Sequence, residues 1–125
     1  QMTDVWQLSA IGKWEKSCGK HPTQKPLGVL ARLIQASTKA NAWILDPFSG
    51  SATTGIAANL LGRNYLGLEK EEVFLNISKA RRIELEDSNI RWSYLKRLEK
   101  NKIISISDDL VVSDNFETCY NIPWI

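Results

Sequence analysis

The chain has 125 residues, 43% hydrophobic and 24% charged, and its 16 Lys and Arg against 14 Asp and Glu leave a formal charge of +2. That length fits one domain, and the balance is that of a globular rather than a disordered protein. No apolar run approaches the roughly 20 residues that span a bilayer, so no membrane partner is expected. Five tryptophans supply apolar surface for a modest core. Cys18 and Cys119 lie far apart with no metal-type spacing. They read as reduced thiols of a cytoplasmic, bacterial-type protein, and no metal site is expected.

Asp4 to Leu8 suits a short strand, and the polar stretch Gly12 to Gly19 reads as a loop. In His21-Pro22-Thr23-Gln24-Lys25-Pro26 each proline biases its predecessor away from the α region, which predicts a rigid, non-helical turn. Pro26 suits a first helical position. Leu27, Leu30, Ala31, Leu33 and Ile34 then recur at helical spacing, predicting a helix from Leu27 to about Ser37. Ala42-Trp43-Ile44-Leu45 reads as a buried strand that ends at Asp46. After a Gly/Ser/Thr loop, a helix is expected from about Thr53 to Leu61, burying Ile56, Ala57, Leu60 and Leu61, with Gly62 as its cap. Asn64 to Leu68 reads as a second strand with Glu69 at its end. A third helix starts near Glu71, with acids in the turn where the helix dipole favours them. Val73, Phe74, Ile77, Ala80 and Ile83 form its expected buried stripe. Asp87-Ser88-Asn89 marks a break, Ile90 to Lys100 suits a further helix, and Ile103 to Ile106 is strand-like.

A charge of +2 does not by itself imply a nucleic-acid partner, but the charges are uneven. Half of the Lys and Arg lie between Lys79 and Lys102, and four acids with no Lys or Arg follow from Asp108 onward. The basic stretch reads first as a solvated helix face, with Glu84, Glu86, Asp87 and Glu99 interspersed; a phosphate-facing surface is the alternative.

Strand, glycine loop, helix, strand and acid make a βαβ unit, which binds ligands at the carboxyl ends of its strands. The spacing Gly50-x-Ala52-x-x-Gly55 is the dinucleotide fingerprint with alanine at its middle position, a weak signal alone. A P-loop is excluded because Ile56 stands where its lysine belongs. Asp46 is more informative. A carboxylate at the strand end repels a pyrophosphate but suits a ligand with an ammonium group, such as S-adenosylmethionine. Glu69 can accept both ribose hydroxyls. The plain alternatives are a helix cap for Asp46 and an exposed strand-end acid for Glu69; a nicotinamide-dependent oxidoreductase domain is the competing enzyme class.

Asp46-Pro47-Phe48-Ser49-Gly50-Ser51 followed by Thr53-Thr54 resembles the cofactor motif of DNA amino-methyltransferases that modify adenine N6 or cytosine N4. His21 to Pro26 resembles that family's other cofactor-side motif, and Asp4-Val5-Trp6 resembles what commonly precedes it. Arg63 to Glu69 resembles its ribose-binding strand. The resemblance spans about residues 4 to 85. It implies an α/β fold, a partial Rossmann-like S-adenosylmethionine-dependent methyltransferase fold with three α/β/α layers. It places Asp46 at the methionine amino group and Phe48, Ser49, Gly50 and Ser51 along the methionine portion. Thr53 cradles that portion at the helix start. Glu69 holds the ribose, Thr23 and Lys25 reach the carboxylate side, and His21 orients its turn. Ala52 departs from the family, which usually has glycine there, and a crowded loop is the expected consequence.

The family's catalytic tetrapeptide, Asp-Pro-Pro-Tyr or a close variant, holds the target amine and stacks on a base flipped out of double-stranded DNA. No Pro-Pro pair occurs here. The motif order resembles a class whose tetrapeptide and target-recognition region lie upstream. The expectation is therefore the cofactor-binding part of a restriction-modification or related enzyme, adenine N6 favoured, inactive alone. It would be a C-terminal fragment, a subunit or a degenerate copy, completed by an N-terminal half or a partner subunit. A non-catalytic scaffold that kept the fold is the alternative. Asn121-Ile122-Pro123-Trp124 resembles an Asn-containing variant of the tetrapeptide, which makes Asn121, Pro123 and Trp124 the catalytic candidates, although 115–120 do not form a convincing strand by pattern. The cofactor-binding portion is assigned to 1–86 and an extension to 87–125.

Overall fold

Short β-rich runs bracketed by turn residues set the frame. The computed structural model describes residues 5–7, 10–19 and 21–105, and the backbone of 116–120. Strand β1 is Trp43–Asp46, β2 is Asn64–Leu68 and β3 is Phe116–Tyr120. Helices α1 (Leu27–Ser37) and α2 (Thr53–Leu60) lie before and after β1, and α3 (Glu72–Glu84) and α4 (Ser88–Lys100) follow β2. The strands form one parallel sheet in the order β1-β2-β3. Trp43 is opposite Asn64 and Asp46 opposite Gly67, so the strand-end acids Asp46 and Glu69 emerge at the same edge. The chain is thus α/β, with helices around a small parallel sheet.

Helix α1 buries Leu27, Ala31 and Ile34 at the predicted spacing and packs on α2. Pro26 is its N-cap rather than its first helical residue. The free N–H of Leu27 is instead taken by the buried Glu15 carboxylate, Oε2 accepting at 2.8 Å. Glu15 belongs to a 3₁₀ turn at Lys13–Lys16, so the expected loop from Gly12 to Gly19 carries a capping device that its polarity concealed. Helix α2 is buried along nearly its whole length. Its end is a Schellman closure: Gly62 N–H donates to Asn59 O at 3.2 Å and Arg63 N–H to Ala58 O at 2.8 Å. The Arg63 guanidinium then donates to Leu61 O and Thr38 O, tying the ends of α2 and α1 together, where a cation complements both helix dipoles.

Three expectations are corrected. Helix α3 buries Leu75, Ser78 and Arg81, while Val73 and Ile83 stand 68% and 62% exposed. A buried arginine with polar partners displaces the apolar stripe. Residues 103–105 are not a strand: Ile103 N–H closes onto Leu98 O at 3.0 Å, and Ile103 and Ile104 plug the core as irregular chain. In β1, Ile44 packs against the core while Trp43 and Leu45 are 61% and 62% exposed, so the apolar run is covered on only one side among the described residues. Of the first expected strand, residues 5–7 are irregular and the rest lies outside the described residues.

The core joins Leu27, Ile34, Ile56, Leu60, Tyr65 and Leu75 to Leu85, Tyr94, Leu95 and Leu98. Each fully buried leucine contributes about 1.5–3 kcal/mol of transfer free energy. Asp87 caps α4, its Oδ1 accepting from Asn89 N–H at 2.8 Å and Ile90 N–H at 3.2 Å. The basic stretch does not form one outward surface. Arg81 turns inward, Arg91 donates to Leu85 O and Asn59 Oδ1, Arg82 pairs with Glu86, and Lys96 pairs with Glu99.

Candidate functional site

Because β1 and β2 are parallel and in register, the loops leaving them open onto the same side. Two adjoining cavities of about 370 Å³ and 190 Å³ lie there, sharing His21, Thr23, Phe48 and Gly50 in their walls. The larger also takes Leu68, Glu69, Lys70 and Phe74. The smaller takes Gln24, Lys25, Asp46, Ser49, Ser51 and Thr53. Every cofactor-side residue proposed from sequence therefore lines one of two neighbouring compartments. Their combined size is that of a small-molecule site.

Loop geometry is set by backbone contacts to acids. Asp46 Oδ1 accepts Phe48 N–H at 3.1 Å, turning the chain just past β1. Ser49 N–H donates to Leu68 O at 3.0 Å. Glu69 accepts Gly50 N–H on Oε2 at 2.9 Å and Glu71 N–H on Oε1 at 2.8 Å. A carboxylate oxygen has two acceptor positions, so Glu69 can tie down the loop and still meet two hydroxyls. Gly50 has φ +53, and a Cβ there would lie 3.0 Å from His21 Nε2; only glycine fits both constraints.

The rigid turn leads in from the other side. His21 Nδ1 accepts Thr23 N–H at 3.2 Å, which assigns the ring proton to Nε2. The imidazole lies 4.1 Å from the Phe74 ring. Gln24 is buried, with Nε2 donating to Glu15 O at 2.8 Å. That bond fixes the amide orientation and leaves Oε1 buried with no partner among the described residues. That oxygen is sealed from solvent, so it belongs to the packing behind the turn and not to the cavity surface.

Ala52 does not crowd the cavity. Its methyl is fully buried and absent from both walls, and its strain lies in a left-handed backbone with φ 60 and ψ 37. Phe74 and Arg81 were missed by sequence reading. Phe74 was placed in the buried stripe, although an aromatic five residues after the strand-end acid was the available signal. Nothing local distinguishes Arg81 from Arg82. Asn121, Pro123 and Trp124 lie outside the described residues. The strand before them, absent from the pattern, is β3, and it pairs with β2 rather than β1. Among the described residues no group of three or more His, Cys, Asp or Glu is arranged to hold a metal, and no helix is long and apolar enough to cross a membrane.

The chain matches the N6/N4 DNA methylase family model over residues 1–80, and it belongs to that family. It is 60% identical over 85 residues to the type II methyltransferase M2.MboI of Moraxella bovis, covering 68% of this chain and 31% of that protein. It is 52% identical over 87 residues to the type II methyltransferase M2.DpnII of Streptococcus pneumoniae, covering 70% and 32%. The type II methyltransferase M.HinfI of Haemophilus influenzae is 40% identical over 91 residues, covering 69% and 25%. The chain thus spans about a third or less of the length of the curated relatives it matches.

Proposed function

We propose that this chain is the S-adenosylmethionine-binding portion of a DNA amino-methyltransferase, adenine N6 favoured over cytosine N4. The observation that carries the reading is the division of carboxylates between the compartments: Asp46 lines the smaller, and Glu69 lines the larger together with Phe48 and Phe74. The smaller compartment would hold the methionine portion, with Asp46 toward its ammonium and Lys25 and Thr23 toward its carboxylate. In the larger, Glu69 would accept the ribose hydroxyls, with Phe48 and Phe74 as apolar walls for the adenine. When bound, the cofactor supplies a methyl group activated by its sulfonium. Ser49, Gly50, Ser51 and Thr53 position that group at the ends of the strands, and positioning is the main source of rate in such a transfer.

Transfer to a flipped base in double-stranded DNA is assigned to the whole protein, in a restriction-modification or related setting. The strand leading to Asn121 is separated from β1 by β2, which supports leaving the catalytic tetrapeptide outside this chain. The exposed Trp43 and Leu45 support a three-layer α/β/α arrangement in which further chain or a partner subunit covers that side of β1. Residues 1–86 form the cofactor portion, onto which α4 of the 87–125 extension packs.

Calorimetric titration of S-adenosylmethionine tests the reading. Asp46→Asn keeps an acceptor for Phe48 N–H but removes the charge, and is expected to weaken binding by about ten-fold or more. Absence of binding to the parent chain would leave the scaffold alternative standing. Transfer of labelled methyl to DNA by this chain alone would reject the division of labour.

A further inference from the structure

Arg81 is the most deeply buried cation described, 4% exposed on the inner face of α3. Its Nη1 donates to Ser51 O at 2.9 Å, to Ser51 Oγ at 3.2 Å and to Thr53 Oγ1 at 2.9 Å. Those acceptors flank Ala52, whose left-handed conformation is strained for an L-residue. Helix α2 begins at Thr53 with no side-chain cap. The guanidinium therefore holds the loop at its strained point, and Ser51 and Thr53 also line the smaller cavity.

Hydroxyl chemistry adds a direction. A serine or threonine hydroxyl has one proton to donate and two acceptor positions. Arginine donates only, so both hydroxyls act as acceptors toward it and their own protons must point elsewhere. No carboxylate among the described residues is in ion-pair contact with Arg81; Glu15 and Glu84 act on it only at longer range. A buried cation thus stands behind two hydroxyls whose protons are not engaged by it and whose residues line the smaller cavity.

We infer that Arg81 is a positioning residue for an anionic group in the smaller compartment: it turns the Ser51 and Thr53 hydroxyls into donors for the carboxylate of the ligand's amino-acid portion. The inference rests on the cofactor reading above. It makes Arg81, on an element remote in sequence, responsible for one half of the ligand only.

Two probes separate the halves. S-adenosylmethionine carries the carboxylate, and 5′-methylthioadenosine keeps the nucleoside but lacks the amino-acid portion. Calorimetry on the chain, with folding followed by circular dichroism, should show Arg81→Met weakening S-adenosylmethionine about ten-fold or more and leaving methylthioadenosine within about two-fold, since Glu69 is untouched. Arg81→Lys, which keeps the charge but loses the planar fork, should recover part of the loss. Equal losses for both ligands would reduce Arg81 to a purely structural role and overturn the inference. If Arg81→Met does not fold, the Ser51→Ala/Thr53→Val double variant should show the same one-sided loss, and an equal loss there is equally fatal. A parent chain that binds neither probe would overturn the cofactor reading itself, an outcome distinct from a loss confined to the variants.

Discussion

Gly67→Ala isolates the packing that connects the core to the loop after β1. Residues 65 and 67 of β2 share a face, and the Tyr65 ring leans along the strand over Gly67. A Cβ at position 67 would lie 2.4 Å from Tyr65 Oη, 2.8 Å from Tyr65 Cζ and 2.9 Å from Ser49 Cβ. Favourable contacts between carbons lie near 3.5–4.0 Å. Tyr65 is fully buried, and Ser49 is held by its bond to Leu68 O. Overpacking of this kind costs about 1–3 kcal/mol. A 125-residue chain has an unfolding entropy near 0.26 kcal/mol/K, so the melting temperature should fall by about 4–11 °C. Part of the displacement passes to Ser49, and S-adenosylmethionine binding should weaken with it. Thermal unfolding followed by circular dichroism measures the first effect and calorimetry the second. In a Tyr65→Phe background, which removes the atom in closest approach, the same substitution should cost about 1 kcal/mol less. A Gly67→Ala variant as stable as the parent would refute this account of how β2 supports the loop.

Other substitutions test the remaining supports. Glu15→Ala leaves the buried Leu27 N–H without its acceptor and should lower stability by about 1–3 kcal/mol in urea titrations; Glu15→Gln, whose amide oxygen still accepts, should recover much of it, and no recovery would contradict the capping role. Asp87→Ala should cost about 1 kcal/mol as the loss of an N-cap, and unchanged stability would show that α4 starts elsewhere. Burial and the neighbouring Glu84 carboxylate raise the Tyr94 phenol from 10.0 to about 12. Its protonated form is therefore favoured by folding, so that contribution is complete below pH 10 and is lost as pH rises toward 12. The parent should lose stability over this window more steeply than Tyr94→Phe; parallel curves would contradict the assignment.

Much of the site was legible because its determinants are local. The turn from His21 to Pro26, the two strands with their terminal acids, and the loop between Asp46 and Thr53 each follow from short-range rules: proline restriction, apolar runs ended by turn residues, and small residues where a ligand approaches. Parallel pairing of adjacent strands then brings Asp46 and Glu69 together without further information. What the sequence left open depends on distant partners. Glu15 caps a helix 12 residues away, and polarity alone made its segment look like loop. Arg81 reaches the loop after β1 across 30 residues, so its burial shifted the inner face of α3 away from the one hydrophobicity indicates. Strand β3 lacks a local pattern and is recognised only by its pairing with β2. Local chemistry thus determined which residues form the pocket. Only the tertiary structure decided what holds them in place, because a buried charge or an orphan N–H is satisfied by whatever the fold brings near, and sequence distance does not record that.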